Sequence, residues 1–286
     1  GNTFMTDITG DTRFYAEVES NGCISPIRVE VAVTIDPTIP EFSIEPNATL
    51  CLNEGAVVLE PQNAGGNYEY QWYDYDDNLL ATSDTFSVTT MGIYKVRAIS
   101  EASCESPFQL ITVTESELSS FSSEDIVIYD YVEENYIEIT LGRNLGIGEY
   151  EFSLDDINGV YETKARYTNL SMGVHTLYIR DKNGCGTLPY QFLVMSYPRF
   201  FSPNSDGVND FWSFRGYDTN FYTDSEITVY DRYGKVITRF DANTFGWDGT
   251  YNGKPMPSDS YWFSVFLTDT DGLKVERTGY FSLLRY

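Results

Sequence analysis

Apolar and polar residues alternate with a period of two through almost the whole chain, and helical periodicity is nearly missing. The stretches FYAEV, IRVEVAVTI, YEYQW, IYKVRAI, QLITVTE, IEITL, TLYIR, EITVYDRYGKVI and YWFSVFL all follow this pattern. Segments rich in Val, Ile, Tyr and Phe, bounded by Gly, Asn, Asp and Pro, form antiparallel strands with one face toward a core. Evenly spaced strands without intervening helices predict an all-β chain of stacked antiparallel β-sandwiches.

Composition decides whether such strands can bury anything. Lys and Arg number 18 against 43 Asp and Glu, a formal net charge of −25, yet 42% of residues are hydrophobic and 16% aromatic. That apolar share excludes disorder as the meaning of the acidity. A surface of this sign repels phosphate backbones and anionic headgroups, so nucleic acid and membrane insertion are not expected. No apolar run approaches the roughly 18 residues of a membrane helix. The opening GNTFMTDITG has neither the basic start nor the apolar stretch of a signal peptide, so any such signal would lie upstream.

Internal repeats set the expected domains. RFYAEVESNGCISPIRVEVAVTID (13–36) aligns with GIYKVRAISEASCESPFQLITVTES (92–116), and HTLYIRDKNGCGTLPYQFLVMSY (175–197) is a looser third copy. Each is a tyrosine-bearing strand, a polar turn with a cysteine, and a second strand, the signature of tandem modules. With the proline-punctuated stretch DPTIPEFSIEPNATLC (36–51) read as a linker, the reading is a partial module over 1–36, a complete one over 37–115, a third sandwich over 116–196 and a terminal module over 197–286. Within 37–115 the order Cys51, Trp72 on a middle strand, then Cys104 resembles immunoglobulin-like domains, where a buried Trp packs between the sheets. That resemblance implies tandem immunoglobulin-like sandwiches and a Cys51–Cys104 disulfide near one end, in an oxidising, extracellular setting. Cys23 aligns with Cys104, and Cys185 is expected to be a free, buried thiol. The single histidine, His175, is expected to be a strand or turn residue.

The phrase YPRFFSPNSDGVNDFWSF (197–214) breaks the strand pattern with a dense polar turn. A calcium loop is one reading, because Asn204, Asp206, the Val208 carbonyl and Asp210 alternate around Gly207; the distal bidentate Glu of such loops is missing. A self-satisfied turn built by Asn and Asp side chains is the other. Catalysis has little support: no nucleophile elbow, zinc-binding His-Glu-x-x-His or phosphate-cradling loop occurs, and the acids sit in turns. Calcium is therefore the one cofactor considered, and no enzyme is expected. NYEYQWYDYDDN (67–78) places aromatics on both strand faces, so Tyr73 and Tyr75 are candidates for glycan contact.

Four phrases in the last 90 or so residues carry a further resemblance: the 197–214 stretch, ITVYDRYGKVI (227–237), GWDGTYNGKPMPSDSYWF (246–263) and GYFSLLRY (279–286). In this order they resemble the gliding motility-associated C-terminal domain, the type B sorting domain of the Bacteroidota type IX secretion system. Ser202, Ser205, Ser260 and Tyr280 depart from its usual residues. The resemblance implies that Tyr197, Pro198, Phe200, Phe201, Pro203, Asn204, Asp206, Gly207, Asn209 and Asp210 form one part of a sorting motif. Asp231, Arg232, Gly234, Trp247, Asp248, Gly249, Asn252 and Gly253 form the rest. It also implies an exported cell-surface protein, adhesin or gliding-associated, that passes through the periplasm. Its partners would be the type IX translocon and an outer-membrane barrel of the PorP/SprF type. In this reading Phe200, Phe201 and Phe211 anchor the loop in the core. Val229 and Val236 face that core from adjacent strands, and Asp231 and Gly234 make a tight hairpin turn. A structural stalk or carbohydrate-binding module without a sorting role is the alternative, and an enzyme with its catalytic domain upstream is the remote one.

Overall fold

The alternating stretches become strands throughout, and the only helical element among the described residues is a single 3-10 turn, Ser123–Asp125. The computed structural model describes residues 3–35, 39–63, 65–130, 134–140 and 145–285. The expected boundary between residues 36 and 37, like positions 1 and 286, lies outside the described residues. The chain is all-β, and it divides into two compact units, Gly1–Glu115 and Ser116–Tyr286.

The first unit begins with a ribbon in which Thr12–Ala16 pairs antiparallel with Val29–Val33, Phe14 opposite Val31. A five-stranded sheet follows, in the order Leu79–Thr82, Tyr68–Tyr73, Gly92–Ser100, Gln109–Ser116, Asn47–Cys51. Trp72 lies on its second strand, fully buried among Val96, Ala98 and Ile111. The indole stacks on Phe86 at 5.4 Å and donates Nε1–H to the Ser83 carbonyl at 2.9 Å, so its one polar atom is satisfied.

The Cys51–Cys104 disulfide does not form, because Cys104 is a free thiol, as is Cys23. Cys51 ends the outer strand Asn47–Cys51, and Gln109–Ser116 stands between that strand and Gly92–Ser100. Cys104 is tied to the far strand: its carbonyl accepts from Ser100 N at 2.9 Å and its N–H reaches Ser100 Oγ at 3.1 Å. Two strand spacings of about 4.8 Å exceed the roughly 7 Å that a disulfide spans between Cα atoms. Cys185 is buried as expected, but it is a disulfide-bonded cysteine and not a free thiol.

In the second unit, Ile126–Tyr129, Tyr136–Ile139 and Arg166–Thr168 form one three-stranded sheet, and Tyr150–Leu154, Gly173–Asp181 and Thr187–Val194 form another. Ile137, Phe152, Leu177, Ile179 and Phe192 join the two in one core. The terminal sheet has five strands in the order Phe200–Phe201, Lys274–Leu283, Asp259–Asp269, Tyr222–Tyr230, Val236–Phe240. Its first pair departs from the antiparallel rule: Phe200–Phe201 runs parallel to Ser282–Leu283. Phe201, Trp212, Trp247, Tyr261, Phe263 and Phe281 fill the core on one side of this sheet.

Three expected core contacts differ. Phe201 is fully buried, but Phe200 and Phe211 are 51% and 48% exposed. Adjacent residues of a strand point to opposite faces, so only one of the Phe200–Phe201 pair can enter the core. The anchor beyond the loop is Trp212, which stacks on Phe281 with ring centroids 3.8 Å apart. Val229 is buried whereas Val236 is exposed, because the register slips by one between Val229 and Tyr230. Val229 faces Thr238 and Tyr230 faces Val236, so Ile237 is the extra residue and turns inward instead.

Candidate functional site

The loop 202–210 is built from its own side chains. Asp210 Oδ1 accepts the backbone N–H groups of Asn204 at 3.0 Å and Ser205 at 2.6 Å, and Oδ2 accepts that of Gly207 at 2.8 Å. Asn204 and Asp206 exchange two bonds: Asp206 N–H to Asn204 Oδ1 at 3.1 Å and Asn204 Nδ2–H to Asp206 Oδ2 at 2.8 Å. Asp206 Oδ1 takes the Val208 N–H at 2.7 Å, and Ser202 N–H closes the loop on the Asn209 carbonyl at 2.9 Å. The Gly207 amide, followed by those of Ser205 and Asn204, holds the Asp210 carboxyl below its ordinary range. Gly207, Ser205 and Asn209 all have positive φ, the conformation that brings successive amides to one carboxylate. Every carboxylate oxygen that the calcium reading needs thus already accepts a hydrogen bond, from a backbone N–H at Asp206 Oδ1 and both Asp210 oxygens and from the Asn204 side-chain amide at Asp206 Oδ2. Among the described residues, no group of three or more His, Cys, Asp or Glu is placed to hold a metal ion.

The other motif residues surround this loop. Tyr197 lies edge-on to Phe263 at 4.7 Å, and the Pro198 carbonyl accepts the Trp212 indole N–H at 2.9 Å. Phe201 meets Trp247 at 5.5 Å. Trp212 and Trp247 also pair through their backbones, each N–H to the other's carbonyl at 2.9 Å. Asp248 Oδ1 accepts both the N–H and the hydroxyl of Thr250, at 2.9 and 2.8 Å, and shapes the turn after Trp247. Pro203 packs so closely on Gly249 that a Cβ there would sit 3.1 Å from the ring. Asn252 and Gly253, both at positive φ, turn the small hairpin Thr250–Tyr251 to Lys254–Pro255. Asp231 Oδ1 accepts the N–H groups of Tyr233 and Lys235 at 2.9 Å each, and Gly234 donates to the Asp231 carbonyl at 3.0 Å. Arg232 pairs with Asp259 at 3.3 Å, on the surface. Lys235 stands 4.2 Å from the Tyr251 ring centroid and so links the 231–235 turn to that hairpin.

Two residues outside the expected set complete the arrangement. Arg285 donates Nε–H to the Met256 carbonyl at 2.8 Å and an Nη2–H to that of Gly249 at 2.9 Å, clamping the end of the last strand onto the Trp247 loop. Arg215 donates to Asn209 Oδ1 from beyond the polar loop. An arginine just before Tyr286 has no periodicity to mark it, so sequence pattern could not assign these partners. Beside the loop the surface is apolar: Val208 is 64% exposed, and Phe211 packs at 6.1 Å against Phe245, itself 88% exposed.

The glycan candidates are placed differently. Tyr73 is half-buried, its hydroxyl donating to Gln71 at 2.7 Å and accepting from Arg97 at 2.9 Å, with its ring edge-on to Phe108 at 5.2 Å. Tyr75 is exposed, with the Lys95 ammonium 5.7 Å from its ring centroid. The two rings belong to a ladder of cations and aromatics and do not form one open platform. His175 lies buried on the strand Gly173–Asp181, its Nδ1 2.7 Å from Asp155 Oδ2 and its Nε2 3.4 Å from the Ser171 hydroxyl. This has the outline of a hydrolytic triad. However, Nε2 also lies 2.9 Å from the Ser171 carbonyl, which can only accept. That carbonyl is the nearer partner of Nε2, and the serine hydroxyl is the more distant one.

Residues 195–283 match the CHU_C type IX secretion signal domain. A type IX secretion signal domain implies export to the cell surface or beyond. All four phrases that carried the resemblance fall within or end just beyond this match. No curated protein is significantly similar to the chain. Among solved structures, three N-terminal domains of the outer capsid protein Hoc of bacteriophage RB49 are 13% identical, covering 86% of this chain and 99% of theirs, with a TM-score of 0.28. Fibronectin(III)-like modules of Clostridium thermocellum CbhA are 13% identical over 55% of this chain and 95% of theirs, with a TM-score of 0.30. Latent PorU from Porphyromonas gingivalis is 12% identical over 90% of this chain and 35% of its own, with a TM-score of 0.26.

Proposed function

We propose that the terminal module directs export of this chain by type IX secretion, and that its recognised face is the 202–211 loop with the aromatics beside it. The observation that carries this reading is the pairing of rigidity with exposed apolar surface. Asp210 fixes the backbone through three amides, Val208 and Phe211 project from that fixed frame, and the Phe245 ring lies beside Phe211. A contiguous exposed apolar patch on a strongly acidic protein marks a place where another protein binds. Preorganisation lowers the entropy lost on binding. The partner is the type IX translocon together with an outer-membrane barrel of the PorP/SprF type, and the chain is part of a cell-surface adhesin or gliding-associated protein. The loop holds its shape through backbone amides without calcium.

The test places the full chain behind a periplasm-targeted fluorescent protein in a Bacteroidota host, with and without the type IX translocon. Translocon-dependent surface fluorescence is expected. The double variant Phe211→Ser, Phe245→Ser should keep its fold by circular dichroism and accumulate in the periplasm at least tenfold over the parent. Normal export of the folded variant would move recognition to another face. Periplasmic retention of the unaltered fusion in both strains would overturn the export role itself.

A further inference from the structure

The boundary between the third sandwich and the terminal module is not a linker. Leu193 and Met195, from the end of the strand Thr187–Val194 and just beyond it, are buried in the terminal core with Trp212 and Phe263. Ser196 and Arg215 then form an isolated antiparallel bridge, with N–H to carbonyl distances of 3.1 and 2.8 Å in the two directions. Gly216, at φ +81°, abuts the third sandwich: a Cβ there would lie 2.5 Å from the Val194 carbonyl oxygen and 3.0 Å from the Gly173 nitrogen. Across the same seam Asp130, just after the strand Ile126–Tyr129, accepts the Met195 N–H through Oδ2 at 3.3 Å. It lines a cleft of about 290 Å³ with Ile128, Tyr129, Tyr197, Phe263 and Arg277.

We infer that residues 116–285 form one cooperative body, in which the sandwich before the signal module is locked to it through a buried joint at Asp130, Met195 and Gly216. This goes beyond the export reading and stands whether or not that reading holds. The physical basis is shared burial. Removing Met195 and Leu193 from the terminal core would leave a cavity, and separating the seam would strip the Met195 amide of its acceptor.

Asp130 makes the joint sensitive to protons. Burial pushes its carboxyl up to about 6, opposed by the Met195 N–H and the Arg277 cation. The other titratable groups at the joint are Tyr129, Tyr197 and Tyr222. A carboxyl raised on folding contributes stability that is full below its unfolded value of 3.8 and is lost as pH rises through about 6. Near neutral pH the joint therefore holds an ionised Asp130 at a penalty.

The chain carries its own reporters. His175, the chain's only histidine, lies in the third sandwich, and Trp212 and Trp247 lie in the terminal core. We would unfold the full chain in urea and follow the His175 ring signal and the Trp212 and Trp247 indole N–H signals by NMR. The expected result is one shared midpoint, shifting together for both reporters in Gly216→Val and in Asp130→Asn. Asp130→Asn keeps an acceptor for the Met195 amide and should stabilise the chain at pH 8. The ratio of variant to parent folding constants should grow tenfold to a hundredfold between pH 4 and pH 7, a comparison in which the other carboxylates cancel. Separate midpoints for the two reporters would overturn the single body. A pH-independent ratio with coincident midpoints would remove Asp130 from the joint.

Discussion

Asp210 shows how one side chain replaces a regular element. It sits in a loop without sheet partners, yet its two oxygens satisfy three amides that would otherwise turn to water. Charge-assisted bonds of this kind favour the ionised acid, which is why its carboxyl lies below the usual value of 3.8. The sign of the linkage follows: a depressed folded value means that the contribution is full above 3.8 and is lost as pH falls through the folded value. Asp210→Asn can satisfy at most one side of this cradle, since its amide nitrogen donates where Gly207 also donates. Hydrogen exchange of the Asn204, Ser205 and Gly207 amides should therefore accelerate at least tenfold in the variant at pH 7. The parent should approach the variant only in strong acid. Equal protection of the three amides in the two proteins at pH 7 would mean that strand anchoring through Phe201 and Trp212 is enough to fix the loop.

At the scale of elements, the bulge opposite Val229 decides what the strand Val236–Phe240 contributes. Ile237 is buried and Val236 exposed, so Ile237→Ala should destabilise the chain by about 2–4 kcal/mol and Val236→Ala by no more than about 0.5 kcal/mol. Urea midpoints of the two variants check this directly, and the reverse order would restore an unbulged hairpin. Period-two alternation made the strands readable, because a half-buried strand must alternate whatever its partner. Alternation does not reveal where a bulge shifts the count, so ITVYDRYGKVI reads equally well with Val236 or Ile237 inward. The same limit explains DFWSF, where three aromatics within four residues leave the inward face undecided until Trp212 and Phe214 enter the core and Phe211 stays outside. The turns were readable for a local reason: Asp231 and Asp210 bond amides within six residues, and such chemistry is written in short phrases. Cys51 and Cys104 failed for the opposite reason. Their pairing depends on sheet order, and a strand between them is invisible to spacing along the chain.

For the whole molecule, a net charge of −25 raises the question of what offsets so many like charges. Much of the answer is that the acids work locally. Asp206, Asp210, Asp231, Asp248 and Asp269 each accept backbone amides, so their charges are partly neutralised by peptide dipoles at the turns they build. The remaining self-repulsion is long-range and should respond to ionic strength alone. The Debye length falls from about 30 Å at 0.01 M to about 8 Å at 0.15 M, so sodium chloride over that range should raise the urea midpoint. A site that binds calcium specifically would add a term that grows with its concentration beyond screening. Because the Asp206 and Asp210 oxygens are already engaged, calcium and magnesium chloride at matched ionic strength should give the same midpoint as each other. They should also give no heat of saturable binding by calorimetry. A calcium midpoint well above the magnesium one, lost in Asp206→Ala, would instead place a cation in the loop and make its rigidity depend on metal.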